Sequence, residues 1–582
     1  MSSFILHKKP YTFAGYFTQI DISSWKVSIK EKKSVKDEPF YEEDNNYIIG
    51  VGTYIYEGVT GRQALMTILH DFRDASSIAR IKKKIKGLFS ILINKNGCTY
   101  VFNDYYGLYD TYYCEYGDTY CVGNDIINLG KISGYHNIAE FPFIMSCFAG
   151  GNSSNESILS GIKKLQGNTY LFCGDNIKLN LIPQTELAIE IPIYRGCDEA
   201  LSYLKEEINN ITNEIHDCFG DTTLCATGGL DSRLVLAAFT SNGQPKVNSL
   251  IYGASNDFRL YTRHEDENIV KELSYITSIP HEIINWNSLE SDYGLDMIWQ
   301  KQLAETAGIN NRIYLGNRRF VETIENTSSK FIEFGYFLEA IRLREWIEED
   351  KKGYFTLDSY IHRYFDHVNL LDFGKRNEFF AWVKERYQEK LALMSIDCLD
   401  RIPISKANQM EWLCRERYTD SRMHQFINHY RYSFPIFAVP RLHEFILQLP
   451  IEEKYGARFQ IKLIRDLNKS LLNANIFSHR RKYKINYKGE KVLRVNIKNI
   501  ITLFMHKFPW VMNNLLPTWQ RIHHKSGVDS NAIFIAELRE IENNSSILEQ
   551  SYIGSTFNGS VDILFSYRQA LIALNSLCET DL

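Results

Sequence analysis

The chain has 582 residues, 44% hydrophobic and 23% charged, a globular composition that argues against disorder over most of its length. Its formal net charge of −4 gives no global attraction to nucleic acid or to an anionic membrane. At roughly 100–200 residues per domain, this length suggests two or three domains. The 11 cysteines are scattered and odd in number, with no CxxC pair, so zinc and dithiol chemistry are weakly supported and a reducing, cytoplasmic setting is expected. Met1 to Pro10 lacks the apolar run of a signal peptide. Nothing approaches the roughly 18–20 apolar residues of a membrane span; Phe143 to Phe148 is apolar but far too short.

The first third reads as strands. Tyr47 to Tyr56, Leu88 to Asn94, Thr99 to Asn103, Tyr112 to Tyr116 and Thr119 to Gly123 are rich in β-branched and aromatic residues. Gly97 and Gly117-Asp118 punctuate them. Thr169 to Cys173 and Ile177 to Ile182 suggest a further hairpin. Together they predict an antiparallel β-sandwich. The residues up to Pro10 read as an extension outside it.

The pattern changes near Arg195. Glu199 to Phe219 carries Leu201, Leu204, Ile208, Ile211 and Ile215 at helical spacing. Strand and helix then alternate. Thr222–Ala226, Val247–Tyr252 and His281–Ile284 read as strands, separated by helices at Ser232–Phe239 and Asn268–Ile276. That is the signature of a parallel sheet with crossover helices. Beyond Phe355 the chain reads as mostly helical, with a basic segment from Arg480 to Lys507.

The residues with the clearest chemistry are Thr227-Gly228-Gly229-Leu230-Asp231-Ser232-Arg233, between a strand and a helix. Two glycines permit a tight turn with exposed N–H groups, and the helix start adds partial positive charge. The result is an anion site of phosphate size, to which Thr227 and Ser232 hydroxyls can add donors. Asp231 repels phosphate, so holding Mg²⁺ or ordering the loop suits it better. By residue types alone the stretch also suits an ordinary strand-to-helix turn. GxxxxGK[ST], HExxH and GxSxG are absent, and Gly50-Val51-Gly52 lacks the third glycine of a dinucleotide loop.

TGGLDS resembles the pyrophosphate loop, SGGxDS, of the N-type ATP pyrophosphatases, with Thr for the first Ser. The chain order is most similar to the asparagine-synthetase class, whose members include β-lactam synthetases and lasso-peptide cyclases. The resemblance implies a glutaminase-like (Ntn-type) front domain over 1–194. An ATP-pyrophosphatase domain with a helical, partly basic C-terminal part would span 195–582. It implies that Ala226 and Tyr252 border adenine through backbone atoms. Thr227, Gly228, Gly229, Leu230, Asp231, Ser232 and Gly335 would hold ATP, and Asp231 and Asp266 would hold Mg²⁺. The family's second acidic loop matches Gly335-Tyr336-Phe337-Leu338-Glu339, with Glu339 catalytic and Leu338 replacing the usual Asp. Glu339 could equally pair with Arg342 or Arg344 on an exposed helix. His479-Arg480-Arg481-Lys482 resembles the R-x-K segment, which makes Lys482, or else Lys484, the lysine that stabilises charge during amide formation.

Gly87–Ser90, Asn103–Gly107 and Gly161–Leu171 resemble elements of the front domain. Its nucleophilic cysteine, normally first after Met removal, is missing: the chain begins Met1-Ser2-Ser3, and Cys98 is its first cysteine. The resemblance therefore implies an AMP-forming carbon–nitrogen ligase that does not take its amine from glutamine. A small-molecule or peptide carboxylate and a separate amine would be its partners, with no nucleic acid and an oligomer compatible. The carboxylate would be sugar-acid or amino-acid-like. A lasso-type macrolactam cyclase and a non-catalytic nucleotide-binding scaffold are the alternatives.

Overall fold

The computed structural model describes residues 3–493 and Leu571, apart from 254–259, 285–317, 344–352, 366–372, 479–480, 486–490 and isolated single or paired positions. Its first half contains two antiparallel sheets. Strands β1 (Ser3–His7), β2 (Thr18–Ile22), β3 (Trp25–Lys30), β4 (Phe40–Glu43), β5 (Asn46–Ile55) and β6 (Lys86–Lys95) come first. β7 (Cys98–Asn103), β8 (Tyr112–Tyr116), β9 (Thr119–Gly123), β10 (Ile162–Lys164), β11 (Thr169–Cys173) and β12 (Ile177–Leu181) follow. One sheet runs β10-β8-β9-β1-β3-β2 and the other β12-β11-β7-β6-β5-β4.

Side chains alternate across each strand, and this alternation builds the layers. Phe4 and Leu6 of β1 join Leu88 and Leu92 of β6 in the main core. Ile5 faces the other way, into a cluster with Ile126 and Leu129 of α3 (Ile126–Ser133) and Ile144 of α4 (Glu140–Phe148). Phe89, Ile91 and Ile93 face outward onto Leu65 and Ile68 of α1 (Gly61–Asp71) and Ile78 and Ile81 of α2 (Ser77–Lys84). The strand segments read from the sequence are present, and helices that the pattern did not reveal cover both outer faces.

One expectation is corrected. The sequence marks the residues up to Pro10 as an extension, yet β1 lies inside its sheet. It pairs antiparallel with β3 on one side and β9 on the other, and all five residues are buried. Phe4, Ile5 and Leu6 are consecutive apolar residues, the pattern of a strand covered on both faces, but the run is too short to stand out beside Lys8 and Lys9.

After α5 (Gln184–Leu187), the long α6 (Cys197–Phe219) buries Leu204, Ile208, Ile211 and Ile215 in the main core. A third sheet has four strands in the order β15-β14-β13-β16. They are β13 (Thr222–Cys225), β14 (Val247–Gly253), β15 (His281–Ile284) and β16 (Phe331–Phe334), and every neighbouring pair is parallel. Helices α7 (Leu230–Phe239) and α8 (Leu260–Thr277) follow β13 and β14. The described residues after β16 are mainly helical, and residues Trp412–Glu416 form a π-helical turn.

The halves are joined by polar contacts as well as packing. The buried Lys32 Nζ donates to the Gly52 carbonyl at 2.7 Å and to the Asn428 carbonyl at 3.2 Å. Tyr106 donates its hydroxyl to Glu444 at 2.8 Å. Asp104 accepts the N–H groups of Tyr106, Leu108 and Tyr109 at 3.2, 2.9 and 2.7 Å, which fixes the turn at Asn103–Gly107. Among the described residues no helix is long and apolar enough to cross a membrane.

Candidate functional site

β13 has β14 on one side and β16 on the other, so the chain leaves the sheet to opposite sides of it. Its carboxyl end is a topological switch point, where open parallel sheets bind ligands. The loop Thr227–Gly229 begins there, one residue after Ala226, whose N–H donates to Ile251 at 2.9 Å and prolongs the ladder.

The loop is closed from within. Ser232 Oγ accepts the Thr227 N–H at 3.0 Å, lies 2.9 Å from Thr227 Oγ1 and donates to the Thr227 carbonyl at 3.2 Å. Gly228 donates its N–H to Asp266 Oδ1 at 2.8 Å. Gly229 donates its N–H to Thr227 Oγ1 at 3.3 Å, so these contacts use three of the N–H groups and both hydroxyls that the sequence offered to an anion. No side chain caps the start of α7. The first-turn amides of a helix otherwise lack partners and carry partial positive charge, so this helix start is the anion-attracting part of the loop.

The two acids expected at a metal lie on different elements. Asp231, in the first turn of α7, accepts Arg342 Nη2 on Oδ2 at 2.8 Å and Nε on Oδ1 at 3.3 Å. Gln460 Nε2 adds a bond to Oδ1 at 2.8 Å. Asp266 lies on α8, with Tyr252 donating to Oδ2 at 3.5 Å. Burial pushes its carboxyl up to about 6, against the Gly228 and Tyr252 bonds that favour the anion. Both acids are hard oxygen ligands of the kind Mg²⁺ takes, and Asp231 Oδ2 keeps a lone pair beyond its Arg342 bond, so they fit the ion in donor type. Arg342 already neutralises Asp231, so any cation there shares that carboxylate with a guanidinium.

Gly335 follows β16 and abuts the loop through space. A Cβ added there would lie 2.4 Å from Ser232 N and 2.8 Å from the Asp231 carbonyl carbon. Its role in the structure is to let β16 approach α7. Phe337 then takes a left-handed φ of 63°, and it is buried edge-on against Trp412 at 5.4 Å between ring centroids. Leu338, at the position of the expected Asp, is fully buried in the main core. Glu339 lies with Glu416 and Asp420, their carboxylate oxygens all within 4.8 Å. Arg342, one turn after Glu339, is the residue that reaches Asp231.

Lys482 and Lys484 lie on β20 (Arg481–Ile485), which pairs antiparallel with β19 (Ile476–Ser478). Lys484 is exposed. The Lys482 side chain, His479, Arg480 and nearly all of the basic segment beyond Ile485 lie outside the described residues. The structure thus gathers Thr227–Ser232, Asp266, Gly335 and Arg342 at one end of the sheet, and it places Glu339 in a separate acidic group.

No family model and no curated protein matches the chain. Among solved structures it is similar to a glutamine phosphoribosylpyrophosphate (PRPP) amidotransferase from B. subtilis complexed with ADP and GMP. The identity is 10%, 46% of this chain and 53% of that chain are covered, and the TM-score is 0.18. It is also similar to the allosteric regulatory enzyme of purine biosynthesis, at 9% identity, 50% and 61% coverage and a TM-score of 0.20. The chain thus spans about half to three-fifths of the length of those proteins. At these TM-scores the likeness carries no argument about fold or activity.

Sequence reasoning missed Arg342 and Gln460 as the partners of Asp231. A lone Arg and a lone Gln, 111 and 229 residues away in sequence, carry no local signal. It also missed Arg233, which is wholly buried. There a signal existed, since a cation directly after Ser232 in an apolar helix requires buried acceptors.

Proposed function

We propose that the chain forms amide bonds from a carboxylate and an amine, splitting ATP to AMP and pyrophosphate. The observation that carries this reading is the uncapped start of α7 at the switch point of the parallel sheet, framed by Asp231 and Asp266. The first-turn amides of α7 suit the triphosphate, and Ala226 and Tyr252 border adenine. Thr227, Gly228, Gly229, Leu230 and Ser232 shape the phosphate seat, and Gly335 sets its packing. Asp231 and Asp266 would hold Mg²⁺, which would offset phosphate charge.

A carboxylate of the substrate attacks the α-phosphorus, the bond to the β-phosphate oxygen breaks, and pyrophosphate leaves. The amine then attacks the acyl carbon, loses a proton and displaces AMP. Negative charge peaks at the tetrahedral oxyanion, so a fixed cation there accelerates the second step. Lys482 is assigned that task, Lys484 being the neighbouring choice, and Glu339 is the acid assigned to the acceptor side. The front part, 1–194, supplies no amine from glutamine, and the ligase chemistry belongs to 195–582. A sugar acid or amino-acid-like compound is the proposed carboxylate.

A second reading, a nucleotide-binding scaffold without turnover, is favoured by one pair of observations. Asp231 is engaged by Arg342 and Gln460, and Leu338 is buried where the resemblance expects an acid. Pyrophosphate release, followed while panels of acids and amines are varied, separates the two. Release that needs both an acid and an amine supports the ligase; ATP binding with no release for any pair supports the scaffold.

A further inference from the structure

The basic hairpin is tied to both helices of the phosphate site. Arg233, the fourth residue of α7, is fully buried. Its Nη1 donates to the carbonyls of Leu471 at 3.2 Å and Ala474 at 3.0 Å, and its Nη2 donates to the Asn475 carbonyl. These carbonyls lie at the end of the 3₁₀ helix Lys469–Asn473 and just beyond it, where backbone acceptors lack helical partners and attract a cation. From the other side, Glu272 of α8 holds the same residue. Its Oε2 accepts the Asn475 N–H at 3.0 Å, and the Asn475 Nδ2 reaches Oε1 and Oε2 at 2.9 and 3.1 Å.

Asn475 is directly followed by β19. The register then runs Ile476 to Tyr483, Phe477 to Lys482 and Ser478 to Arg481. One arm of the clamp therefore comes from the helix that opens at the phosphate loop. The other comes from the helix that carries Asp266, six residues before Glu272. The hairpin belongs to a small three-stranded sheet, completed by Lys491–Leu493 on the far side of β20, and so small a sheet takes its position from what anchors it. A buried guanidinium is also an expensive way to stabilise packing alone, since apolar residues of similar volume often do as well or better. Its fan of donors to three carbonyls fixes direction, which a hydrophobic side chain cannot do.

We propose that Arg233 and Glu272 are positioning residues, which clamp Asn475 and so fix the hairpin bearing Lys482 and Lys484 relative to the phosphate loop. This deepens the ligase reading and rests on it for its catalytic consequence. The clamp acts on the amide-forming step through the hairpin, so its loss lowers kcat and leaves the nucleotide seat in place.

The test uses the full chain with Asn475→Ala, Glu272→Gln and Arg233→Met, each checked for folding by circular dichroism. Hydrogen exchange over 476–485 is measured with pyrophosphate release. The clamp predicts exchange in 481–485 faster by about tenfold or more, with the amides of β13 and β14 unchanged. It predicts kcat lower by about 10–100-fold with the KM for ATP within about threefold, the pattern of a misplaced group. Adding Asn475→Ala to a Lys482→Ala, Lys484→Ala chain should cost nothing further, which a merely structural role would not produce. If Arg233→Met does not fold, the two milder variants decide. Folded Asn475→Ala and Glu272→Gln with wild-type exchange and turnover overturn the clamp. If the wild-type chain releases no pyrophosphate with any substrate pair, the ligase reading fails separately. Exchange alone then decides: faster exchange upholds the clamp, and unchanged exchange overturns it.

Discussion

Gly335→Ala isolates the contact that sets the Thr227–Ser232 loop against the sheet. The new carbon would lie 2.4 Å from Ser232 N and 2.7 Å from Ser232 Cα, where ordinary contact begins at 3.4 Å. The neighbours are backbone atoms, so no flexible side chain can give way, and the start of α7 must retreat by about 1 Å. Overpacking of this kind costs about 1–3 kcal/mol of stability. A displacement of about 1 Å at groups that position a substrate costs about 100-fold in rate. Gly229→Ala is the contrast. That residue has φ −76°, and an added carbon meets only Thr227 Oγ1, at 3.4 Å. It should leave thermal stability unchanged and weaken only the ligand's approach to the backbone. Thermal denaturation, ATP titration calorimetry and pyrophosphate release on both variants give the comparison. If Gly335→Ala melts, binds and turns over like wild type, the close approach of β16 to α7 has no functional consequence and the reasoning fails.

Asp266 should impose an acid limb on nucleotide binding. Its carboxyl is pushed up to about 6, so as pH falls through that value it takes a proton and ceases to be an anion. ATP affinity should then fall by up to about tenfold per pH unit below 6, and Asp266→Asn should remove that dependence; an unchanged limb in the variant rules the assignment out. In the ligand-free protein the sign is opposite. A raised carboxyl favours the folded state below about 4, and wild-type stability relative to Asp266→Asn should fall as pH rises through about 6. Lys482→Ala should keep ATP affinity within a few-fold while turnover falls by about 100-fold or more, with Lys484→Ala made in parallel. Near-normal turnover in both variants would leave the hairpin without a catalytic lysine. Removing residues 1–7 should abolish folding of the front half, because β1 is an internal strand with β3 and β9 as neighbours. A soluble truncated chain with native circular dichroism would contradict its place in the core.

Much of this architecture was legible where periodicity was long. The stripe of α6 and the alternation of β13, α7, β14, α8 and β15 follow from spacing alone. So did the edges of β8, β9 and β11, which the turn residues mark. Short elements were not legible. β1 has only Phe4, Ile5 and Leu6 to announce it, and a three-residue apolar run has no period. α1 and α2 lie on a sheet face whose outward residues are apolar in any case, so the strands gave no sign that helices covered them. The candidate loop stood out because glycine, hydroxyl and acid fall within the seven consecutive residues 227–233. Its supports Arg342 and Gln460 did not, because they reach it through the tertiary fold; Asp266 entered only through the resemblance. Leu338 shows the limit of matching by spacing. The position aligned with an acid, but the left-handed turn at Phe337 brings it into the core.

The fate of the ATP phosphates tests the central claim most directly. With a substrate pair that supports turnover, ATP labelled in the adenine ring should yield AMP, with one pyrophosphate per amide formed. Asp231→Ala, which removes the acid held by Arg342 and Gln460, should abolish both products. Formation of ADP and inorganic phosphate instead, or full turnover by Asp231→Ala, would contradict an acyl-adenylate route at this loop.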